Sequence, residues 1–414
     1  MRLSEELTWR GLVNQTTYPD LVALDGDPIN FYWGVDPSAD SMTIGNLAAA
    51  MMVKCFIKHG HQPVLLVGGA TGLIGDPDGK SQERQLKSAD EIARNKSAIV
   101  AQYHQVFGRQ DLKIVDNYDW FAGLGYLDFL RDVGKHVPMR QMLARDFVQS
   151  RLGEQGAGIS YAEFSYVLIQ AYDFLQLYEK EQVTLQVCGS DQWGNSIAGV
   201  DLIRRKTGGE AHVYSVPLIT NQATGQKFGK SETGAIWLDA TKTTPYKFYQ
   251  YWLNVNDEAV ESYLKVFTEL DKANIEGALE EFSRDRSVRK AQKLLAYEVT
   301  KLVHGQDQAD KQVRIAEAIA GQDLSQLSDA ELATVREEIP VATAQADGSI
   351  VDALVGAKLA SSNTEAKRLI NDNAISINAQ KVNRENFEPA DFQNGRLLLR
   401  RGKAFKDSAL VELK

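Results

Sequence analysis

The sequence has 414 residues, of which 43% are hydrophobic and 24% are charged, a balance typical of a folded chain with two or three packed units. Its apolar stretches are too short and too interrupted by Gly or Lys to cross a bilayer, and its first residues lack the apolar core of a secretory signal. We therefore expect a cytoplasmic protein without a membrane span. The two cysteines lie far apart and the six histidines show no metal-ligand spacing, which argues against a disulfide framework and a structural zinc site.

The net charge of −9 is unevenly distributed along the chain. Residues 348–414 contain 11 Lys and Arg against 8 Asp and Glu, whereas the preceding residues contain 35 against 47. A basic terminal segment on an acidic body favours local contact with a polyanion. A solvated surface without a partner would show the same balance, so composition leaves both interpretations open.

The N-terminal half alternates predicted strands and helices. NFYWGVD (30–36) predicts a strand, residues 43–58 predict a helix, and VLLVGG (64–69) predicts the next strand. Two later strands are predicted at VTLQVCG (183–189) and HVYSVPLIT (212–220), with a helix between them. This alternation predicts an α/β fold with a Rossmann-like, doubly wound parallel sheet, whose ligands bind at the carboxyl ends of the strands.

The C-terminal half no longer alternates predicted strands and helices. From residue 244 to about residue 319 the pattern is helical, and a polar stretch that follows is typical of a linker. Beyond it, Ser362 and Glu365 have capping-box spacing. The segments AISINAQKV (374–382) and GRLLLRRGKAFK (395–406) bear arginines and lysines and predict a basic hairpin. The predicted units are an α/β domain, a loop with a helical domain, a linker, and a small α+β module, at residues 1–225, 226–340, 341–347 and 348–414.

Two loops follow the first predicted strands, at the edge where ligands are expected. DPSADSMTIGN (36–46) leads into a helix N-terminus, which can offer backbone N–H groups to a phosphate. GGATGLIGDPDGKS (68–81) is rich in glycine, so its backbone could approach a ligand closely. It is not a P-loop, because Ile74 stands where that motif needs its first Gly. An ordinary structural turn is the alternative for this loop.

The segment 164–180 predicts a helix that is apolar on nearly every side and is therefore buried. Tyr166, Gln170 and Asp173 nevertheless share one narrow face, at positions i, i+4 and i+7. Buried amide and carboxylate groups need hydrogen-bond partners. Either other protein groups or a polar ligand about 10 Å long supplies them.

A second candidate for phosphate contact is the segment GQKFGKSETG (225–234), which places Lys227 and Lys230 three residues apart in a Gly-containing loop. Lysines in such loops are usually solvated. On a mobile loop they could also close over a triphosphate and stabilise the negative charge that develops on it.

Together these motifs resemble the class I aminoacyl-tRNA synthetases. YWGVDPSADSMTIGN (32–46) is similar to the first signature of that class, and KFGKS (227–231) is similar to the second. Three further segments, GGATGLIGDPDGK, EFSYVLIQAYDFL and GSDQWGN, resemble bacterial-type tyrosyl-tRNA synthetases in order and spacing. The terminal segment resembles the small RNA-binding module of those enzymes. The resemblance implies ATP-dependent activation of L-tyrosine and its transfer to tRNA(Tyr), with an anticodon-side helical domain.

The resemblance also implies roles for individual residues. Tyr32 and Asp173 match the groups that hold the tyrosine hydroxyl, and Gln192 lies where the substrate carboxylate is expected. The positions that match the α-amino site are Asp76, Tyr166 and Gln170. The positions that match the ATP site are Gly34, Asp36, Ser38, Gly45, Asn46, Gly189, Asp191 and Lys230. The catalytic positions, around the phosphates, are Thr43, Lys80, Arg84, Lys227, Lys230 and Ser231.

The partners follow from the same resemblance. ATP with Mg2+ is the implied co-substrate, and no permanently bound cofactor is expected. Residues 118–143 fall in the insertion through which these enzymes form homodimers. Two other functions stay open: a synthetase-like RNA-binding protein that no longer makes adenylate, and a related enzyme for tryptophan, which the pair Tyr32 and Asp173 opposes.

One position departs from the pattern of the family. The first signature usually begins with histidine, and here that position is Thr43. A threonine hydroxyl can still donate one neutral hydrogen bond to a phosphate oxygen. We therefore expect Thr43→Ala to slow tyrosine activation and Thr43→His to leave it equal or faster.

Overall fold

The computed structural model describes residues 1–77, 86–153, 156–219, 230–231, 234–321, 323–402 and 407–414, and at 230–231 it describes the backbone. Within these ranges the strands β1 to β13 are Gln15–Thr16, Asn30–Val35, Gln62–Val67, Lys113–Asp116, Val183–Gly189, His212–Val216, Lys230–Ser231, Gly234–Ala235, Val341–Ala344, Ile375–Ile377, Gln380–Lys381, Arg396–Arg401 and Ser408–Leu413.

The helices of the same ranges, α1 to α18, are Leu3–Arg10, Ile44–Lys58, Gly69–Ile74, Ala89–Phe107, Tyr118–Phe121, Tyr126–Asp132, Met139–Leu143, Asp146–Leu152, Tyr161–Glu181, Trp193–Thr207, Pro245–Leu253, Val260–Phe267, Lys272–Arg284, Lys290–His304, Gln306–Gly321, Asp329–Glu338, Ile350–Gly356 and Asn363–Asn371. None of these described helices is both long and apolar enough to span a membrane.

Six of the described strands form one sheet in the order β1-β6-β5-β2-β3-β4. The strands β2 to β6 run parallel to their neighbours, and β1 pairs with β6 in the antiparallel direction. Residues 31–33 of β2 and residues 63–67 of β3 are apolar and buried, because helices cover both faces of the sheet. On one face Tyr32 and Leu66 pack with α9 and α10, and on the other Phe31 packs on Phe56 of α2. The predicted doubly wound α/β fold is confirmed.

Helix α9 runs beside the central strands and carries the polar face noted in the sequence. Its N-cap is Ser160, whose hydroxyl accepts a hydrogen bond from the N–H of Glu163 at 3.2 Å. It ends at Glu181, and the residue that follows, Gln182, has a left-handed backbone with φ of 55°. The predicted buried helix at 164–180 is therefore confirmed, with one additional turn at its N-terminal end.

The chain divides into two compact units, residues 1–244 with 252–303, and residues 245–251 with 304–414. The helical pattern predicted from residue 244 to about residue 319 is confirmed by α11 to α15. In α12, for example, Val260, Tyr263, Leu264 and Phe267 recur at helical spacing and are all buried.

The second unit contains a sheet of five described strands in the order β11-β10-β12-β13-β9. Its strand β12 supplies residues to two cores. Leu397 and Leu399 point into a core built with α17 and α18, whereas Leu398 lies in a core with Ile315 and Leu332 of α15 and α16. Alternate side chains of a strand point to opposite faces, so one strand joins both cores.

The predicted linker at 341–347 is wrong for its first residues. Val341–Ala344 form strand β9, which pairs in parallel with β13 in the register Leu410↔Val341. Ala344 is buried in the core beside α17. The boundary predicted at residue 340 also differs from the compact units, because Leu398 and Leu410 pack against the helices that precede that boundary.

Candidate active site

A cavity of about 420 Å³ opens at the carboxyl ends of β2 and β5, where ligands of a doubly wound sheet bind. It is lined by predicted site residues from five separate segments: Tyr32, Gly34, Asp36, Ser38, Thr43, Gly45, Asn46, Asp76, Tyr166, Gln170, Asp173, Gly189, Asp191 and Gln192. Lys80, Arg84 and Lys227 lie outside the described residues, and for Lys230 and Ser231 only the backbone, in β7, is described.

Asp173 is the most deeply buried carboxylate of the cavity, with 2% of its surface exposed. It accepts hydrogen bonds from Asn117 Nδ2 at 3.1 Å and from the indole Nε1 of Trp120 at 2.9 Å. Burial raises the pKa of Asp173 to about 8, although these two hydrogen bonds act in the opposite direction. Protein groups thus satisfy this carboxylate in part, which is one of the two possibilities left open by its position on α9.

Three other polar atoms of the cavity have no hydrogen-bond partner among the residues that the structure describes. The hydroxyl of Tyr32 and the Oε1 atoms of Gln170 and Gln186 are buried, and none has a hydrogen-bond partner among the described residues. Burial raises the pKa of Tyr32 well above its usual value, and nearby Asp173 adds to the effect. A buried polar atom without a partner is costly, so these atoms indicate where a polar ligand would be stabilised.

Asp36 connects the strand end to α9. Its Oδ1 accepts from Thr71 Oγ1 at 2.6 Å, and its Oδ2 accepts from the hydroxyl of Tyr166, also at 2.6 Å. Thr71 in turn accepts from Asn117 Nδ2 at 3.0 Å. One hydrogen-bond network therefore joins Asp36, Tyr166 and Asp173 across the cavity.

The glycines at the start of GGATGLIGDPDGKS make room for protein groups. A methyl group at Gly68 would overlap Thr71 Oγ1 and Asp36 Oδ1, and one at Gly69 would overlap Asp116. The N–H of Gly69 donates to Asp116 Oδ1 at 3.1 Å. At these two positions glycine is needed so that the backbone can lie close to protein side chains, as expected for a structural turn, and not to let a ligand approach.

Asp76 and Gln192 face each other within the cavity. Gln192 Nε2 donates to Asp76 Oδ2 at 2.5 Å, and Gln192 Oε1 accepts from Asn195 Nδ2 at 3.0 Å. Asn195 Oδ1 also accepts from the guanidinium of Arg145. This series of hydrogen bonds fixes the orientation of the Gln192 carboxamide, which the sequence motif alone does not determine.

The segment that matches the first signature (32–46) is hydrogen-bonded to residues that follow the second signature (227–231) in the sequence. Ile44 N donates to Ile236 O at 3.1 Å, and Leu238 N donates to Met42 O at 2.9 Å. At the beginning of α2, the hydroxyl of Thr43 donates to Asn46 Oδ1 at 3.0 Å. The hydroxyl predicted to serve a phosphate oxygen is thus engaged by a neighbouring side chain.

Sequence reasoning missed Asn117, Trp120 and Gln186. The first two stand just after β4, in DNYDW, and polar residues at the end of a parallel strand were a usable signal. Gln186 is a single polar residue within the apolar strand β5, and its register opposite Tyr32 identifies its location.

Known proteins resemble this chain over nearly its full length. The family described as class I tRNA synthetases (W and Y) matches residues 24–320, and the tyrosine–tRNA ligase SYY-like C-terminal domain matches residues 331–406. The tyrosine–tRNA ligase of Bacillus caldotenax is 46% identical over 391 residues, which cover 92% of each chain. That of Staphylococcus haemolyticus is 42% identical over 411 residues, which cover 97% of each. The chain belongs to the tyrosine–tRNA ligase family.

A solved structure supports the same conclusion. The C-terminally truncated mitochondrial tyrosyl-tRNA synthetase of Aspergillus nidulans matches with a TM-score of 0.69 at 31% identity, covering 77% of this chain and 94% of that chain. Members of this family are class I ligases that activate tyrosine with ATP and charge tRNA. The predictions of family, fold class and ligase activity are confirmed, and the alternative of a tryptophan enzyme is contradicted by the identities of the tyrosine enzymes.

Proposed function

We propose that the cavity binds L-tyrosine with its phenol between Tyr32 and Asp173. The observation that carries this proposal is the buried Tyr32 hydroxyl without a partner among the described residues, beside a carboxylate that is 2% exposed. A phenol hydroxyl could donate to Asp173 and accept from Tyr32, and it would satisfy both groups at once. The ring would lie against the side chains of β2 and β5.

The ammonium group of the substrate is assigned to the opposite end of the polar face. Tyr166 and Gln170 lie two turns and one turn before Asp173 on α9, and Asp76 lines the same cavity. The Oε1 of Gln170, which has no partner in the described part of the chain, is an acceptor suited to an ammonium. Gln192, held by Asp76 and Asn195, is assigned to the substrate carboxylate.

ATP is assigned to the part of the cavity near the first signature. Its lining there includes Gly34, Asp36, Ser38, Gly45, Asn46, Gly189 and Asp191. Asp191 lies in the turn Ser190–Gln192 that follows β5, where its carboxylate is suited to ribose hydroxyls. The catalytic cations are proposed to be Lys80, Arg84, Lys227 and Lys230, with Ser231, and ATP is proposed to arrive with Mg2+.

The proposed first step forms a mixed anhydride. A carboxylate oxygen of tyrosine attacks the α-phosphorus of ATP in line, and the bond from that phosphorus to the bridging oxygen of the β-phosphate breaks, which releases pyrophosphate. A terminal ribose hydroxyl of tRNA(Tyr) then attacks the tyrosyl carbonyl, and AMP leaves. The contribution of the protein is to position both substrates and to stabilise the charge on the departing phosphates.

Tyr32→Phe tests the tyrosine assignment. It removes the hydroxyl that would contact the substrate phenol, so the preference for tyrosine over phenylalanine in pyrophosphate exchange should fall by roughly fivefold to a hundredfold, as expected for about 1–3 kcal/mol. Tyr214→Phe is the matched control, because its hydroxyl donates to Leu12 O at 2.7 Å and is buried outside the cavity. If Tyr32→Phe rejected phenylalanine as well as the parent does, the assignment would be wrong.

We further propose that the enzyme is a cytoplasmic homodimer whose terminal module, 348–414, contacts tRNA. Large apolar side chains concentrate on the surface of the insertion predicted to form the dimer and on the residues after it: Tyr118, Tyr126, Leu127, Met139, Leu143, Leu152 and Tyr161. Patches of this kind mark protein interfaces. A second copy of the chain is the proposed occupant.

The dimer can be tested by the mass of the particle in solution. Leu127 is 78% exposed, so Leu127→Glu should not disturb folding, but it would place a charge in the proposed interface. The parent should have the mass of two chains, and the variant should dissociate at a higher protein concentration than the parent does. Val288→Glu is the control, because Val288 is also exposed and lies outside the insertion. A parent with the mass of one chain would contradict the proposal.

A further inference from the structure

The Thr43 and Asn46 side chains form a closed arrangement at the first turn of α2. The backbone N–H of Thr43 donates to Asn46 Oδ1 at 2.9 Å, and the hydroxyl of Thr43 donates to the same oxygen at 3.0 Å. A backbone N–H can only donate, so the atom that it meets must be the carboxamide oxygen. This contact fixes the amide orientation, which is otherwise ambiguous for asparagine.

The hydrogen bonds from Thr43 to Oδ1 also determine what the NH2 group of the Asn46 side chain can contact. With Oδ1 occupied by two donors from Thr43, the NH2 group of Asn46 is left for other acceptors. Among the residues that the structure describes, no protein acceptor is hydrogen-bonded to it. Asn46 and Thr43 both line the cavity, on the side assigned to ATP.

The backbone around Thr43 is held from both sides. Ile44 N donates to Ile236 O, and Leu238 N donates to Met42 O, so the residues before and after Thr43 are hydrogen-bonded to the same neighbouring segment. Lys242 Nζ also pairs with Asp40 at 2.7 Å. The donors on Thr43 are therefore preorganised, and the Asn46 amide is ordered before any nucleotide binds.

We propose that Thr43 is a positioning residue for the nucleotide, which acts through Asn46 rather than by contact with a phosphate. A threonine hydroxyl has one hydrogen, and here Asn46 Oδ1 receives it. The role of Thr43 is to hold the carboxamide so that its NH2 group donates to ATP. This proposal rests on the assignment of ATP to this end of the cavity.

The two assignments for Thr43 predict opposite results for histidine. A phosphate donor would be retained or improved by Thr43→His. If Thr43 instead orders Asn46, Thr43→His would weaken that ordering, because the backbone N–H contact to Oδ1 is kept but the second contact, from the threonine hydroxyl, is removed. The expectation drawn from the sequence, that Thr43→His is equal or faster, is therefore reversed.

A double-mutant cycle decides the question. Thr43→Val keeps the backbone N–H and the shape of the side chain but removes the hydroxyl, and Thr43→Ser keeps the hydroxyl. Pyrophosphate exchange at saturating tyrosine compares four variants with the parent. They are Thr43→Val, Thr43→Ser, Asn46→Ala, and the double variant that combines Thr43→Val with Asn46→Ala. The dissociation constant of Mg-ATP, measured without tyrosine, and the midpoint of thermal unfolding complete the comparison.

We expect Thr43→Val to weaken the use of ATP by roughly threefold to tenfold, as removal of one neutral hydrogen bond does, with tyrosine affinity unchanged. Thr43→Ser should stay within about twofold of the parent by the same scale. In the Asn46→Ala background, Thr43→Val should have no further effect, because the group through which Thr43 acts is gone.

Independent effects that multiply in the double variant would overturn the proposal, and so would a faster Thr43→His enzyme. Reduced thermal stability in Thr43→Val without the coupling would show a role limited to helix capping. If the parent showed no pyrophosphate exchange, the proposed function would fail. The cycle in Mg-ATP affinity would still decide the role of Thr43, because it does not depend on turnover.

Discussion

Trp120 donates its indole N–H to Asp173 Oδ1 over 2.9 Å, and this hydrogen bond brings the helix after β4 to the deepest polar group of the cavity. Asn117 donates to the second carboxylate oxygen from the same segment. The orientation of Asp173 is thus set by residues that need not touch the substrate. Their removal should therefore be visible in tyrosine recognition.

Trp120→Phe is expected to raise the tyrosine concentration needed for half-maximal exchange by roughly fivefold, since a neutral hydrogen bond contributes about 1 kcal/mol. The apparent affinity for ATP should change much less. Steady-state pyrophosphate exchange with each substrate varied in turn measures both. Tyr172→Phe is the control, because Tyr172 packs on Phe121 and Phe129 and does not line the cavity. Equal effects on the two substrates would contradict the assignment.

The raised pKa of Asp173 predicts a pH dependence of stability. Its folded pKa of about 8 lies above the ordinary value of 3.8, so the folded state binds the proton more tightly than the unfolded state does. The associated stability is present at low pH and is lost as pH rises from about 4 to 8, by up to about 1.4 kcal/mol per pH unit. Asp173→Asn lacks this proton equilibrium. Urea unfolding from pH 5 to 9 should therefore show the parent losing stability relative to Asp173→Asn up to about pH 8 and remaining level above it. A constant difference would be incompatible with the burial of this carboxylate.

Gly68→Ala should damage the site through sterics. The added methyl would overlap Thr71 Oγ1 and Asp36, so both must move, at a cost of about 1–3 kcal/mol in unfolding free energy, with a large decrease in exchange activity. Gly277→Ala offers a matched contrast, because Gly277 is exposed within α13 and, apart from its chain neighbours and the backbone of its own helix, no atom of the described residues lies within 4 Å of its Cβ position. There alanine should stabilise the protein by about 0.5–1 kcal/mol. Denaturant unfolding of both variants measures the difference, and a stable, active Gly68→Ala enzyme would show that the Asp36 network is not required.

Charge reversal in the terminal module separates tRNA binding from adenylate formation. Arg368 on α18 and Lys381 on β11 are exposed. Arg368→Glu with Lys381→Glu should slow tRNA charging, and the slope of tRNA affinity against salt concentration, on logarithmic scales, should fall by about one for each phosphate that is no longer neutralised. Pyrophosphate exchange should be unchanged. Lys272→Glu on α13 reverses a charge in the other unit and serves as the control. Undiminished charging by the reversed module would exclude these residues from the tRNA surface.

Buried basic residues need separate treatment in such experiments. Arg400 was predicted to belong to a basic hairpin, but it is buried, and its Nε donates to Ser408 Oγ at 2.9 Å. Burial lowers the pKa of its guanidinium. Its substitution would report on folding of the module rather than on RNA binding.

The sequence predicted the secondary-structure elements in which apolar residues recur at regular spacing over many positions. Helix α9 was predicted because its apolar residues recur over 17 positions from 164 to 180 and its polar face has helical spacing. The partners of Asp173 could not be predicted in the same way, because Asn117 and Trp120 lie 56 and 53 residues away in the chain and meet α9 only through the tertiary fold. Strand β9 was missed for a related reason. It has four residues, three of them not fully buried, and its partner β13 begins at Ser408.

Because strand β12 contributes side chains to two cores, it also determines how the second unit unfolds. Since adjacent leucines of one strand fill two cores, melting either core removes support from the other, and the helices α15 and α16 cannot be separated from the small module without exposing Leu398 and Leu410. Residues 304–414 should therefore open as a single cooperative unit, and hydrogen exchange of backbone amides on both sides of the sheet should give one common free energy of opening. A protein cut after residue 347 would leave an exposed apolar surface on these helices, so the RNA-binding contribution of the module is better studied by surface substitution than by deletion.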